Sequence, residues 1–395
     1  MKKSVLLMAA ATAIALSSCS SEETKDIAKS SSSITFRSTV GLNSRGVEVT
    51  TDNLKNILVS AWKDADVAFE SENFVKKDGT QEFHCDKDEP YYWEKDKQYT
   101  FMAFATGKDD MGGLTPTINK TSIVLNDYTP DKDPSKHMDL LAAQATGDIT
   151  QNGTTGVPLT FEHILSQIQI KVKSENQDVK YVIRGVRISN VKGTGNYTYT
   201  PASPDQKHSW TVNTAAQYVS DQGIDIRLDG TDGAFKELLA GNLSAMLLPQ
   251  SVTAWNGTVP GGPDATFDQV NGSYISLLIN IQKKGKDGRW VQVYPKDATQ
   301  DTQCGWTAVA IPTLKWESGK KYIYNLDLTF GAGVVDPVQP NPDGTDIVKP
   351  GEPGKDPGKG DEILGKEIFF KVDVKTWEPT DQNVNMNYNN KNEYG

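Results

Sequence analysis

The chain has 395 residues, a formal net charge of −10 and three cysteines. This acidic balance argues against a nucleic-acid binder, which attracts phosphates through clustered lysine and arginine. Three cysteines are too few for a disulfide framework. The chain is rich in Thr, Val, Ile, Tyr and Trp, with Gly, Asn, Asp and Pro at short intervals. This composition favours an all-β sandwich or barrel.

Residues 1–18 predict a signal peptide. Two lysines precede an apolar run over residues 5–16, and Leu-Ser-Ser leads directly into Cys19. The run is too short to span a bilayer as a helix. The arrangement resembles the lipobox of bacterial lipoproteins, in which the cysteine becomes the acylated N-terminus, so we expect Cys19 to anchor the protein in the outer membrane. An ordinary secretory signal with a chance cysteine is the alternative.

Residues 19–32 are polar and predict a flexible tether. The acidic pair Glu22 and Glu23 resembles the surface-export signal of Bacteroides-type lipoproteins. The alternative is that both residues are only part of a solvated tether. We therefore expect a protein that faces outward from the cell surface.

Residues 33–163 predict an N-terminal β-sandwich that ends near His163. Ile34 and Phe36 alternate with polar residues, which predicts a half-buried first strand over residues 33–40. The segment 98–105 is apolar on both faces and belongs in the middle of a sandwich. Further strands are predicted at residues 56–62, 91–93, 139–143 and 157–161.

Residues 164–330 predict a C-terminal β-sandwich. In the segment 166–173, Ile168, Ile170 and Val172 alternate with polar residues. Other strands are predicted at residues 181–189, 244–248, 274–282, 306–311 and 321–329, and the single predicted helix spans 234–239. Cys85 and Cys304 then lie in different domains, so a disulfide between them is not expected.

Residues 331–363 are dense in Pro, Gly, Asp and Lys and predict a disordered linker. Residues 364–395 carry a further strand and a tail. The strand places four apolar side chains on one face: Ile368, Phe370, Val372 and Val374. A single strand is not stable alone, so it must pair with a sheet of its own chain or of another.

Several blocks then resemble, in order and spacing, the fimbrillin-like proteins, subunits of the type V pili of Bacteroides-type bacteria. The blocks are YYW at 91–93, YTFMA at 99–103, DLLAA at 139–143, VPLTFEHIL at 157–165, MLLPQ at 246–250 and WESGKKYIYNL at 316–326. The resemblance covers about residues 34–377. It implies two transthyretin-like, Ig-like β-sandwich domains in tandem and, as partners, other pilus subunits.

The resemblance also implies an assembly route. A trypsin-like protease cuts after an arginine near the end of the first strand, which removes that strand and the lipid, and a strand of another subunit fills the groove. Arg45 is the first candidate cleavage site and Arg37 the second. The candidate donor strand spans 368–374, with Trp377 as a plug. Arg45 as an ordinary loop residue, and a last strand that folds back onto its own chain, remain open alternatives.

Sequence patterns of catalysis are missing. The chain has no Gly-x-Ser-x-Gly, no phosphate-binding Gly-Lys-Ser/Thr and no His-Glu-x-x-His, so we predict no enzyme, no catalytic residue, no cofactor and no metal site. The run His84-Cys85-Asp86 has side chains of metal-binding type, but adjacent residues of a strand point to opposite faces, so we do not expect these three to bind one metal. His163 is predicted to be a structural hydrogen-bonding residue. Three aspartates lack the glycine and glutamate of a calcium loop: Asp127, Asp131 and Asp133.

Three hypotheses follow. The first is a structural subunit or adhesin of a pilus. The second is a non-polymerising surface lipoprotein, either a pilus anchor or a module that binds a glycan or host protein, with a permanent lipid at Cys19. The third, an extracellular glycan hydrolase, requires two close carboxylates whose pairing the sequence does not reveal.

Overall fold

The computed structural model describes residues 32–40, 53–108, 110–239, 244–261, 265–338, 357–364 and 368–376. Within these ranges the chain forms twenty-three strands, one short α-helix (Ile149–Asn152) and four 3₁₀ turns: Met111–Gly113, Pro134–Lys136, Pro204–Gln206 and Phe267–Gln269. None of the described helices is long and apolar enough to cross a membrane. The described part is therefore almost entirely β-structure, as the composition predicts.

The first twelve strands are β1 Phe36–Val40, β2 Asn56–Lys63, β3 Asp66–Lys76, β4 Glu82–Cys85, β5 Tyr99–Thr106, β6 Thr117–Ile118, β7 Ile123–Tyr128, β8 Leu140–Gly147, β9 Val157–His163, β10 Ser166–Lys173, β11 Val179–Tyr199 and β12 His208–Ser220. The others are β13 Ile226–Leu228, β14 Lys236–Glu237, β15 Ala245–Leu247, β16 Ser251–Val252, β17 Tyr274–Lys284, β18 Trp290–Tyr294, β19 Gly305–Ala310, β20 Leu314–Lys315, β21 Lys320–Asp327, β22 Val334–Val335 and β23 Phe369–Thr376.

Seven strands close into a barrel in the order β1, β4, β3, β2, β5, β8, β9. β1 completes the ring because it pairs antiparallel with β4 on one edge and parallel with β9 on the other. The barrel core is aromatic: the ring of Phe36 meets Phe74 and Phe101 edge-on, with centroids 4.8 and 5.1 Å apart. A sandwich was predicted here, and the structure instead joins the sheet edges through β1.

A five-stranded and a nine-stranded sheet enclose the second core. The five-stranded sheet has the order β14, β10, β21, β23, and β15 also pairs with β10. The nine-stranded sheet has the order β22, β19, β17, β11, β7, β6. In addition, β12 and β13 pair with β11, and β18 pairs with β17. The buried core between them includes Ile170 of β10, Ile183 of β11, Leu277 of β17 and Tyr324 of β21. The chain leaves the barrel at β9 and enters this part at β10, on either side of the boundary predicted near His163.

A third core, the junction core, lies where barrel and sheets meet. It contains Phe104 from the barrel, Leu125 from β7, Tyr197 from β11, and Met246 and Leu248 from or beside β15. β11 reaches it because the strand is 21 residues long and pairs with β17 near its start and with β7 near its end. Strands β6 and β7, which precede His163, thus belong to the nine-stranded sheet.

Three predictions about local structure are wrong. Residues 91–93 do not form a strand, and Tyr92 makes only an isolated bridge with Ser33. Residues 234–239 do not form a helix: β14 pairs with Lys171 and Val172, and Leu238 N donates to Ile170 O. The open edge of β10 outweighs helical propensity there. The predicted linker is also partly folded, because Val335 and Ile363 are buried in the second core. Residues 331–338 and 357–363 belong to the fold, and residues 339–356 lie outside the described part.

Candidate functional site at the terminal strands

The first strand is inserted between two others. Ile34, Phe36, Ser38 and Val40 point into the barrel and are buried, whereas Arg37 and Thr39 between them are exposed. Backbone hydrogen bonds extend its pairing beyond β1: Ile34 N donates to Tyr91 O at 2.7 Å, and Val157 N donates to Thr35 O at 2.8 Å. The strand is therefore held along both edges and by its inward side chains.

The candidate cleavage residues differ in what the structure describes. Arg37 is the second residue of β1, with its backbone paired to Glu82 on one side and Pro158 on the other. A protease needs a locally unfolded backbone, so cleavage after Arg37 requires β1 to leave the barrel first. Cys19, Arg45 and Trp377 lie outside the described residues.

The last strand pairs with its own chain. β23 runs antiparallel to β21, from Thr376 opposite Lys320 to Phe369 opposite Asp327. β21 is its one strand neighbour in the described structure, so β23 is an edge strand. Ile368 and Val372 are buried against the second core, and Val374 is partly buried. The intrachain alternative for the donor strand is therefore the arrangement in this structure.

The start of β23 is loosely covered. Phe369 is 61% exposed and has one aromatic neighbour, Phe330, whose ring centroid is 5.7 Å away and which is itself exposed. Among the described side chains of this segment, Ile368 and Val372 are buried and Val374 is half-buried, whereas Ile34, Phe36, Ser38 and Val40 of the first strand are all buried. Of the predicted donor side chains, that of Phe370 lies outside the described part.

Residues 331–338 and 357–364 form a two-segment clasp beside β23. Val335 N donates to Asp361 O at 2.9 Å, and Ile363 N donates to Gly333 O at 3.0 Å. The clasp is fixed to the sheet by a buried carboxylate: Asp336 accepts from Ser276 Oγ at 2.6 Å and from Val338 N at 2.7 Å.

Gly333 connects the clasp to the last strand. Its φ of +77° suits glycine. A Cβ at this position would lie 2.5 Å from Ala308 O and 3.1 Å from Ile368 Cδ1. The clasp therefore contacts the residue that immediately precedes β23.

The polar residues considered from the sequence have structural roles here. Nδ1 of His163 lies 2.7 Å from Oδ2 of Asp139, and both side chains are buried. Asp131 and Asp133 accept backbone N–H groups of their own turn. In the described ranges, no group of three or more His, Cys, Asp or Glu side chains could hold a metal. Burial raises the pKa of Cys304 to about 12, so it stays a thiol.

Sequence analysis missed a polar chain that joins the barrel to the β11–β12 hairpin. Glu162 Oε2 lies 2.9 Å from His208 Nε2, His208 Nδ1 lies 2.8 Å from the Tyr197 hydroxyl, and Lys207 also bonds Glu162. Burial opposes ionisation of Glu162, but the hydrogen bonds from His208 and Lys207 outweigh it and lower the pKa of Glu162. In the sequence, the only sign of this polar chain is the adjacent pair Lys207 and His208, and the pair does not reveal that its partner is Glu162.

The fold defines an all-β class of protein in which a seven-stranded barrel, closed by its first strand, joins a five-stranded and a nine-stranded sheet. It is similar to a fimbrial protein of Bacteroides vulgatus ATCC 8482, with a TM-score of 0.51 and 15% identity over 87% of this chain and 99% of the other. A proposed cell adhesion protein of Bacteroides uniformis ATCC 8492 gives a TM-score of 0.41 and 13% identity, over 87% and 98%. At these identities the likeness concerns the fold alone.

The family profile described as fimbrillin-like matches residues 44–339, which is most of the chain. The chain belongs to the fimbrillin-like family. No protein with a curated function matches it.

Proposed function

We propose that this protein is a structural subunit or adhesin of a cell-surface pilus. It is exported as a lipoprotein acylated at Cys19 and joins other subunits by strand exchange once proteolysis after Arg45 or Arg37 releases the first strand. Membership of the fimbrillin-like family supports a pilus role. The signal and lipobox pattern of residues 1–19 supports lipid-anchored export to the outer membrane.

The position of β1 supports the exchange step. Its departure would leave β4 and β9 with unpaired backbone edges and would uncover the barrel core at the sites of Ile34, Phe36 and Val40. Each such side chain contributes about 1.5–3 kcal/mol when buried. An open groove of this kind is a template for strand addition from a second chain.

The observation that carries the proposal is a match between the first and last strands. Residues 34–40 read Ile-x-Phe-x-Ser-x-Val, and residues 368–374 read Ile-x-Phe-x-Val-x-Val. Between the second and third of these positions, both segments carry a cation, Arg37 in the first and Lys371 in the last. The last strand can therefore place side chains of the same shape at three of the four inward sites of β1, with Ile368 at the site of Ile34.

The mature protein recovered from the cell surface tests this function by intact-mass spectrometry. We expect a chain that starts at Gly46 without acyl groups, and an Arg45→Ala variant that keeps its lipid and its first strand. Loss of assembly on deletion of residues 368–374 is expected as well. A chain that starts at acylated Cys19 would contradict a cleaved subunit.

One observation favours a second candidate function. In the described structure β23 pairs with β21 of its own chain, so this strand needs no second copy to be paired. That suits a non-polymerising surface lipoprotein, either a pilus anchor or a module that binds a glycan or host protein. This candidate predicts a permanent lipid at Cys19 and no change in oligomeric state when the donor segment is deleted.

A further inference from the structure

Ser38 places a polar side chain among the apolar inward residues of the first strand. Its side chain is 3% exposed and points into the barrel between Phe36 and Val40, with Leu159 as its partner on β9. Its Oγ has no hydrogen-bond partner among the described residues. A buried hydroxyl without a partner is unfavourable, because it has lost its bonds to water without replacing them.

The last strand differs from the first at this inward position. In the alignment of residues 34–40 with 368–374, Val372 takes the place of Ser38, whereas the other three inward residues are identical. A valine at the Ser38 site would bury two methyl groups and remove the unpaired hydroxyl.

We propose that the Ser38 site is the specificity-determining position of strand exchange, at which the barrel binds Val372 of a second copy in preference to its own Ser38. The inference rests on the proposed function. It makes β1 an imperfect occupant that holds the barrel closed until it is replaced. The preference also gives the exchange a direction, because the incoming strand binds more tightly than the strand it displaces.

Differences at the exposed outward positions contribute less. Thr39, which aligns with Asp373, is exposed, and its Oγ1 contacts Thr160 Oγ1 at 3.3 Å. Arg37 and Lys371 carry the same charge, and Arg37 is exposed. Exposed groups exchange a protein contact for water at little net change in free energy. Thr35, which aligns with Phe369, is half-buried, so the two strands also differ there. Among the inward sites, discrimination between the two strands is concentrated at the Ser38 site.

Peptide competition on the full chain tests the proposal. A protease site introduced within residues 41–50 allows the chain to be cut between β1 and β2 after folding. Fluorescence polarisation then follows displacement of β1 by labelled peptides that span residues 32–42 or 366–376. The peptides are compared with their Ser38→Val and Val372→Ser forms, and Thr39→Val is the matched control that adds apolar atoms on the outward face.

We expect the Ser38→Val peptide to bind at least about tenfold more tightly than its parent, and the Val372→Ser peptide to bind at least about tenfold less tightly than its own. The Thr39→Val control should change affinity less than about threefold. Equal or weaker binding of the Ser38→Val peptide would overturn the proposal, whatever the other peptide does. A different outcome would be that the 32–42 peptide and its Ser38→Val form bind and the 366–376 peptide does not. In that case Val372 does not occupy the Ser38 site, and the proposed function by strand exchange is wrong independently of the preference for valine.

Discussion

At the scale of single residues, His137 couples three segments. Met246 N donates to His137 Nδ1 at 3.0 Å, so the ring proton is on Nε2, which donates to Asp131 O at 2.7 Å. The ring also meets Tyr218 edge-on, with centroids 5.4 Å apart. A second proton would have to bind Nδ1 and break the bond to Met246. Burial accordingly lowers the pKa of His137, although Asp131 and Asp133 oppose the shift.

The protein should therefore lose stability in mild acid through this residue. The unfolded state takes up a proton near pH 6.5, above the pKa of His137 in the fold, so the free energy of unfolding falls as the pH drops below about 6.5 and levels off below the folded-state pKa. A His137→Gln variant should be about 1–3 kcal/mol less stable at pH 7.5 and should depend less on pH. Urea unfolding at pH 7.5, 6.5 and 5.5 measures both.

The remaining histidines stay in both proteins and serve as the internal control. If the two proteins lose stability in parallel between pH 7.5 and 5.5, then His137 is not the residue that senses acid.

At the scale of elements, the clasp limits how far β23 can move. Leu364 and Ile368 are four residues apart, so the chain between them spans at most about 14 Å. With the clasp released, the chain from Phe330 to Ile368 could span up to about 130 Å. Transfer of β23 to a second copy thus becomes geometrically easy only when the clasp opens.

A disulfide across the clasp should slow the opening of β23. Val334 and Glu362 are directly opposed, and the flanking bonds from Val335 N and Ile363 N make them a non-hydrogen-bonded pair, the closer type in antiparallel pairing. In a Val334→Cys, Glu362→Cys variant, we expect hydrogen exchange of the β23 amides to be at least about tenfold slower when oxidised than when reduced.

The complementary change is Asp336→Ala, which removes the carboxylate bound by Ser276 and Val338 and should speed exchange in β23. Asp139→Ala removes an equally buried carboxylate at the barrel junction and is the matched control. Unchanged β23 exchange in both the locked and the Asp336→Ala proteins would show that the clasp does not restrain the strand.

At the scale of the whole molecule, the junction core makes the barrel and the sheets depend on each other. Phe104 and Tyr197 belong to different sheets and share one buried cluster, and the Glu162–His208 contact crosses the same boundary. Parts that share a buried core unfold together unless the shared contacts are weakened.

We therefore expect a single calorimetric transition for the full chain. Tyr197→Ala should destabilise the protein by about 3–5 kcal/mol, because it leaves a cavity in the junction core, and should split the transition in two. Phe74→Ala, a truncation of similar size inside the barrel core, is the control and should lower the midpoint of the single transition without splitting it, because the junction core stays intact. A wild-type protein with two resolved transitions would contradict this coupling.

The sequence by itself determined the β class, the positions of twelve of the twenty-three described strands and the family resemblance. β10 was predicted at residues 166–173 and is observed there. β2 differs from its prediction by one residue at its end, and β5 by one residue at each end. Period-two alternation is a local property of the chain, so it can be read without knowing any partner. The inward faces of the first and last strands were predictable for the same reason.

Tertiary structure alone decided how the strands meet. Closure of the barrel by β1, the length of β11 and the pairing of β7 with it depend on backbone edges contributed by distant segments. The clasp was hidden because a segment rich in Pro and Gly gains its order from contacts such as Ser276 with Asp336. The buried, unpaired hydroxyl of Ser38 was not predictable, because it depends on which residues surround Ser38 in the fold. The sequence around Ser38 does not contain that information.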